Sequence, residues 1–433
     1  MKAFIKNHIY FISIVLVALC IRIFLALYLL QPGFSVNDDL LRYQDWGKIA
    51  YDHQVSDTYS SKYLTYGTNP NNQPPGTVYI DLSMYSLSQI VHFFSPQQPD
   101  IYPFFLKLPN ILADLLIGIM IYYLINKKNK KKYALFGSCL FLLNPVVIYN
   151  SAVWGQTDAL NNVLFFASLV LLFSNKYFFS ILLFFFSLYI KLSLLPLFPL
   201  YLLILLKKTQ FNLLRSCIYV IVSMAILLLF TLPLSSTPHI WLTQFFIHNS
   251  SGELQHIVNY SFNFWSVLFN PDSFSLIPLS SDIYFGLSLA TWAYILFTLT
   301  YIPLLIYTLK QKRLSDSQVL ALLFIAAFAT FLLLPRMHQR YIYPVIPLIA
   351  TYIGIERKNI IPYILLSIVN FINLYVVWHP SDFLPVFFTN IIAHSKIRLG
   401  MSVLTVLLFI VMYIRTLQIK PLKRWSYLPS RNS

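Results

Sequence analysis

Apolar runs of membrane-crossing length, separated by short basic or aromatic clusters, recur along almost the whole of this chain. A helix needs about 20 apolar residues to cross bilayer hydrocarbon. The first run, Ile9 to Leu30, meets that length. It follows Lys2 and Lys6, as a cleaved leader would, yet it is too long for a leader's apolar part, and Gln31-Pro32-Gly33 is a poor cleavage site. It reads as a retained first helix. Further runs lie at 104–125, 133–149, 159–173, 177–190, 192–206, 213–234, 283–309, 317–334, 341–355, 359–378 and 399–414. With 58% hydrophobic and only 11% charged residues, the chain lies far outside the range of soluble domains. The expected fold is an all-α integral membrane bundle of about 12 transmembrane helices, forming one polytopic domain, 1–433.

A net charge of +16 would suit a nucleic-acid partner, but the basic residues are not arranged for one. Counting inward and outward from a cytoplasmic N-terminus, the inner segments and tail hold 21 of the 31 Lys and Arg. This is the bias that keeps basic loops in the cytoplasm. It predicts membrane lipids as the surroundings, no nucleic acid, and both termini on the cytoplasmic side of a plasma (inner) membrane. The run 76–94 would make a thirteenth crossing, but that would push Lys127 to Lys132 outside. Pro74-Pro75 before it and Asp81 within it favour a helix lying along the outer interface. Cys20, Cys139 and Cys217 fall in different runs and imply neither disulfides nor a metal site.

The acids sort the other way. Of 15 Asp and Glu, only Asp316 and Glu356 fall in expected cytoplasmic segments, and Asp114 lies inside a span. Topology does not demand this, because acids contribute little to it. The two long outer loops, 31–103 and 235–279, are therefore where chemistry is expected, each with its own interfacial helix. Asp38 and Asp39 begin the first loop just after helix 1, at the depth where a lipid-linked substrate presents its head group. A partly desolvated carboxylate there can serve as a general base for a hydroxyl. The competing reading is that they cap the helix implied by 40–51. In the second loop His239, His248, Glu253 and His256 have no metal-ligand spacing.

Charges at membrane depth cost several kcal/mol unless paired or functional. Lys191 splits 177–206 into two short spans and sits at their outer turn, with snorkelling as its alternative role. Arg336, His338 and Arg340 form an outer cationic cluster against the topology rule. Such a cluster can hold the phosphate of a lipid head group, or can pair with acids such as Asp114 or Asp158. Asn144-Pro145 stops one helix, and Trp154-Gly155-Gln156-Thr157-Asp158 leads into the next.

The order of these pieces resembles the GT-C superfamily of membrane glycosyltransferases. The nearest likeness is to the dolichyl-phosphate-glucose-dependent glucosyltransferases of N-glycan assembly and to bacterial proteins related to the GPI mannosyltransferases. It rests on Asp39 seven residues before Trp46, Pro74-Pro75, Leu112-Ala113-Asp114-Leu115-Leu116, Asn144-Pro145 and Trp154 to Asp158, then Lys191, Asn259 to Trp265, and His338-Gln339-Arg340. The resemblance implies an inverting, metal-free and cofactor-free transfer of a hexose from a polyprenyl (undecaprenyl or dolichyl) phosphate to a glycan, glycolipid or protein hydroxyl. It implies Asp39 as the base, or its neighbour Asp38, and Lys191, Arg336, His338 and Arg340 around the donor phosphate. Trp46, Trp154, Gln156, Asp158, Asn263 and Trp265 would line the pocket. Gln339 stands where these proteins usually carry Glu. The alternative is a transporter or flippase of lipid-linked saccharides, but the chain shows no two-fold internal repeat. A non-catalytic scaffold leaves the outer cations unexplained.

Overall fold

A computed structural model of the chain describes residues 2–31, 34, 36–66, 69–95, 100–128, 130–251, 255–269, 277–380 and 385–418. Helix α1 (Lys2–Tyr28) leads to α2 (Asp38–Asp52), a 3₁₀ turn at Val55–Tyr59 and α3 (Pro75–Phe94). Next come α4 (Tyr102–Asn126), α5 (Lys131–Leu142) and α6 (Pro145–Ile148), which runs on as a π-helical segment, Tyr149–Trp154. α7 (Asp158–Phe173) packs on α8 (Tyr177–Ile190), and a 3₁₀ segment at Leu192–Leu197 feeds α9 (Phe198–Lys208) and α10 (Leu213–Thr231). The second long connection holds α11 (Pro238–Ser251), β1 (Val258–Asn259), α12 (Phe264–Leu268), β2 (Asp282–Tyr284) and β3 (Leu287–Ser288). After α13 (Leu289–Lys310) and α14 (Asp316–Leu333), β4 (Met337–His338) and a 3₁₀ turn at Gln339–Ile342 precede α15 (Val345–Glu356). α16 (Ile360–Val377), α17 (Val386–Ala393) and α18 (Ser395–Leu417) complete the described chain.

Among the described residues, seven helices are long and apolar enough to cross a membrane: α1, α4, α10, α13, α14, α16 and α18. α5 and Pro145–Trp154 form a bent pair, meeting at 46°, that brings the number up to eight if counted as one broken span. This is an all-α, multi-pass membrane protein. The other four apolar runs are also helical, but α7, α8, α9 and α15 have only 16, 14, 11 and 12 residues. Each is cut short by irregular backbone at Gly155, Lys191 or Arg336 to Ile342. Irregular backbone at membrane depth survives only where protein or a cavity satisfies its polar groups, so these interruptions direct attention to one region. α3, though 20 residues long, is not among the membrane-length apolar helices.

α14 forms the centre, with 89% of its span buried against α13, α15 and α18. Ser315 and Gln318 close a capping box at its start. α1 and α10 are peripheral, each with 17% of its span buried. Exposed Leu16, Phe24, Ile221 and Leu229 clothe them, which is an outward apolar face suited to lipid.

At one end of the bundle Lys128 and Lys208 bind Asp316 at 2.5 and 3.4 Å, and Arg357 donates to the Tyr133 hydroxyl at 2.9 Å. α4 runs from this basic end for 25 residues, about 37 Å at the helical rise. Its other end meets α2 and the π segment.

Candidate active site

α2 is capped by Asn37, whose Oδ1 accepts from the Leu40 amide at 2.8 Å while Nδ2 donates to the Trp154 carbonyl at 2.8 Å. The cap is therefore Asn37, and neither aspartate is used for it. Asp38 is exposed, whereas Asp39 is half-buried. Asp39, Arg42 and Tyr43 lie three and four residues apart, so they share one face of the helix.

That face meets the turn between the π segment and α7. Pro145 at the first turn of α6 and the wide π-helical turns after it reshape the bent pair; π turns of this kind often mark functional sites. Gly155 ends it at φ 82°, a left-handed backbone that suits glycine. A Cβ there would also lie 3.1 Å from Lys107 Cγ and 3.3 Å from Leu40 Cδ1. The turn delivers Gln156, fully buried, whose Nε2 donates to Asp39 Oδ2 at 2.6 Å. Tyr43 Oη lies 3.4 Å from Gln156 Oε1 and accepts from Gln73 Nε2 at 3.1 Å, and Gln73 Oε1 accepts from Thr157 at 3.2 Å.

Asp158 opens α7. Its Oδ1 accepts from Lys191 Nζ at 2.7 Å, both side chains being almost wholly buried. Lys191 is held where α8 stops and the backbone turns extended, at φ −157°. Arg340 comes from the 3₁₀ turn before α15 and lies between the two carboxylates. Its Nη1 is 3.7 Å from Asp39 Oδ2, and its Nε is 3.9 Å from Asp158 Oδ2. Among the described residues, neither Arg340 Nε nor Asp158 Oδ2 has a hydrogen-bond partner, although both atoms are buried. Trp154 and Tyr341 flank the guanidinium at 6.0 and 5.8 Å, and Lys191 lies 5.4 Å from the Tyr341 ring centre.

β4 pairs in parallel with β1, setting His338 opposite Asn259, whose Nδ2 is 3.1 Å from His338 Nε2. Burial, Arg340, Lys191 and Arg42 together push His338 well below its usual range, against the pull of Asp39. For Asp39, burial acts to raise the carboxyl, but Arg340, the Gln156 hydrogen bond, His338 and Arg42 outweigh it and hold it below the ordinary carboxylate value. Arg42 itself is 4.0 Å from Asp39 Oδ1. The gathered side chains thus carry three cations, Arg42, Lys191 and Arg340, against two carboxylates, and this surplus favours an anion.

Several expected pocket residues lie behind the site and do not line it. Trp46 is buried with Leu40, Tyr43, Tyr102 and Leu106, its Nε1 3.4 Å from the Asn69 carbonyl. Asn263 caps α12 and reaches the Phe331 carbonyl at 3.4 Å, while Trp265 Nε1 donates to the Leu333 carbonyl at 2.9 Å. Asn263 and Trp265 fix the second connection to the end of α14, and Trp46 packs α2 onto α4. Arg336 takes a left-handed φ of 66°, and its amide donates to the Ile257 carbonyl at 3.1 Å. The ion pairs of Asp39 and Asp158 run instead to Arg42, Arg340 and Lys191. Of the cationic cluster expected to pair with Asp114 or Asp158, Arg340 faces Asp158, while Asp114 binds Arg22 at 3.1 Å. Glu253 lies outside the described residues. Arg42, Tyr43 and Gln73 were not anticipated, although the helical spacing from Asp39 pointed to the first two.

No family model matches the chain, and no curated protein matches it in sequence. Among solved structures, ArnT from Cupriavidus metallidurans, crystallised bound to undecaprenyl phosphate, superposes with a TM-score of 0.54. The likeness covers 95% of this chain and 76% of that one, at 14% identity. The chain shares the ArnT fold. At that identity the likeness is one of architecture, and it takes in nearly the whole chain.

Proposed function

We propose that this protein is an inverting membrane glycosyltransferase of the GT-C type that moves a hexose, mannose or glucose, from a polyprenyl phosphate to an acceptor hydroxyl. The observation that carries the reading is the position of Arg340. A buried guanidinium faces two carboxylates at 3.7 and 3.9 Å, beyond hydrogen-bonding reach of either, with its Nε unpaired among the described residues. A buried donor left unmade is costly, and a phosphate oxygen would satisfy it with a charge-assisted bond. The crystallised ArnT, with its undecaprenyl phosphate, supports the same ligand chemistry on the same frame.

The chemistry follows from charge. The acceptor hydroxyl attacks the anomeric carbon from the face opposite the phosphate. The C–O bond to phosphate breaks, its electron pair leaves on the lipid phosphate, and the hydroxyl proton passes to Asp39. Arg340, with Lys191 beside it, stabilises the departing dianion, and preorganised cations of this kind are often the largest contribution to such catalysis. Gln156 fixes the carboxylate so that one oxygen faces the acceptor. Trp154, buried against Tyr149 and Trp378, backs the Arg340 guanidinium. The acceptor is a glycan, glycolipid or protein on the outer side of a plasma membrane. The basic end bearing Lys128, Lys208 and Arg357 would face the cytoplasm along with both termini.

Two experiments test this. Purified protein is incubated with undecaprenyl phosphate mannose, the glucose analogue and the corresponding nucleotide sugars, and the products are identified. Transfer from a lipid phosphate sugar supports the reading, and transfer from a nucleotide sugar in preference overturns it. For orientation, a cysteine introduced at exposed Tyr66 should react with an impermeant maleimide in intact cells, and one at Arg313 should not. The opposite pattern overturns the assignment of sides.

A further inference from the structure

Beneath the site lies a charged pair that the transfer mechanism does not use. Arg22 of α1 and Asp114 of α4 are both fully buried, with Nε 3.1 Å from Oδ2. Arg22 Nη1 also donates to the carbonyls of Ala18 at 3.1 Å and Leu142 at 2.9 Å. Asp114 is bound from two further directions. Ser151 donates to its Oδ2 at 2.6 Å, and the Tyr343 hydroxyl donates to its Oδ1.

The partners have one property in common. Apart from Ala18 they lie where regular helix fails: Leu142 ends α5, Ser151 is in the π segment, and Tyr343 closes the 3₁₀ turn before α15. Such segments lack the full ladder of helical hydrogen bonds and need outside anchors at membrane depth. Two of them carry the site. Ser151 precedes Gln156 by five residues, and Tyr343 follows Arg340 by three, its amide donating to the Arg340 carbonyl at 3.0 Å. As a source of stability alone the pair is a poor choice, since apolar replacements of buried ion pairs are often as stable or more so. As a means of fixing geometry it is well placed.

We propose that the Arg22–Asp114 pair is a positioning device for the transfer reaction, one that holds the Gln156-bearing turn through Ser151 and the Arg340-bearing turn through Tyr343. The inference rests on the glycosyltransferase reading. Asp114 touches neither Asp39 nor Arg340, so its effect travels through the two turns. Small misplacements of reacting groups cost on the order of tenfold to a hundredfold in rate.

The test uses two variants of the full-length protein, assayed with undecaprenyl phosphate mannose and glucose. Tyr343→Phe removes one hydroxyl and leaves the ring in place. With Arg340 less firmly held, Asp39 loses part of its cationic support. The acid limb of kcat/KM should move to higher pH, and kcat should fall on the order of tenfold. The double variant Arg22→Met/Asp114→Leu exchanges the pair for apolar side chains. It should melt above either Arg22→Met or Asp114→Leu alone, because neither charge is left unpaired, and keep its membrane abundance, yet lose kcat to at least the same degree. Wild-type kcat in the double variant, or an unmoved acid limb in Tyr343→Phe while Asp39→Asn is inactive, overturns this inference and leaves the glycosyltransferase reading standing. A wild-type protein that transfers sugar from neither lipid phosphate overturns both.

Discussion

Gln156 donates its side-chain amide to Asp39 Oδ2 at 2.6 Å, joining the turn before α7 to the first turn of α2 across 117 residues of chain. The bond does two things. It selects one rotamer of the carboxylate, and it leaves Oδ1 as the oxygen free to take a proton, with Arg42 4.0 Å away. Gln156→Ala should therefore reduce kcat by about a hundredfold, the scale of a misplaced reacting group, while the donor KM changes little. Gln156→Glu should be worse, because a second carboxylate beside Asp39 favours its protonated form. Steady-state kinetics with a lipid phosphate sugar separates the two parameters.

Asp38 and Asp39 are adjacent in sequence but unequal in the structure. Asp38 is exposed, and the cap that either could have supplied is Asn37. Asp39→Asn should abolish transfer, losing at least the 10² to 10⁴ typical of a general base, roughly, with insertion and abundance unchanged. Asp38→Asn should retain activity within about twofold, since an exposed carboxylate away from the reacting atoms has little to lose. Transfer rates normalised to protein recovered in membranes decide it, and the reverse result would move the base to Asp38.

Much of this was legible because lipid is an exacting solvent. All twelve apolar runs became helices, since a chain in hydrocarbon has few other ways to satisfy its backbone. The shortness of α7 and α8 was legible, because their runs 159–173 and 177–190 are themselves short and Lys191 marks a break, whereas the 3₁₀ turns that open the runs 192–206 and 341–355 were not, because they depend on which helices pack around the breaks. In the site, Asp158, Lys191 and Arg340 stood out as charges at membrane depth or against the topology rule, and Asp39 as an acid just outside helix 1 for which capping was the competing reading. Arg42 and Tyr43 could have been read from their spacing to Asp39 but look like any polar helix face. Arg22 stands visibly between Ile21 and Ile23, yet its partner lies 92 residues away, a relation no local pattern encodes. The opposite failure concerns Trp46, Asn263 and Trp265. A tryptophan that lines a pocket and one that packs behind it read identically.

Lys191 and Asp158 form a buried pair at 2.7 Å with side chains 9% and 2% exposed. Removing only the lysine leaves Asp158 buried beside Arg340, which is 3.9 Å away and not hydrogen-bonded to it. Lys191→Met should destabilise the protein by about 3–5 kcal/mol, the usual cost of a buried charge left unpaired. Adding Asp158→Leu should restore most of that stability, because both charges are then gone. The donor KM of the double variant should remain raised, since the cation beside the phosphate is still missing. Thermal unfolding in detergent measures the first effect, and kinetics of the double variant measures the second. Recovery of both stability and KM would show that Lys191 is structural only.

Arg340 is the strongest attraction holding Asp39 below the ordinary carboxylate value against burial. The sign of its removal is therefore fixed. In the wild type Asp39 is held ionised, and the acid limb of kcat/KM, which reports the free enzyme, should lie below the ordinary carboxylate range. In Arg340→Gln burial is no longer outweighed by the same attraction, so the carboxyl rises and the limb moves up. The variant should lose proportionally more activity at about pH 5 than at about pH 8, in addition to a raised donor KM at both. Arg340→Lys separates the two effects. Its charge keeps the limb low, but a compact ammonium cannot reproduce the planar fork of guanidinium donors, so KM should rise without a shift in pH dependence. A pH–rate series on the three proteins checks this. A limb that stays in place in Arg340→Gln would mean that the group titrating in catalysis is not Asp39.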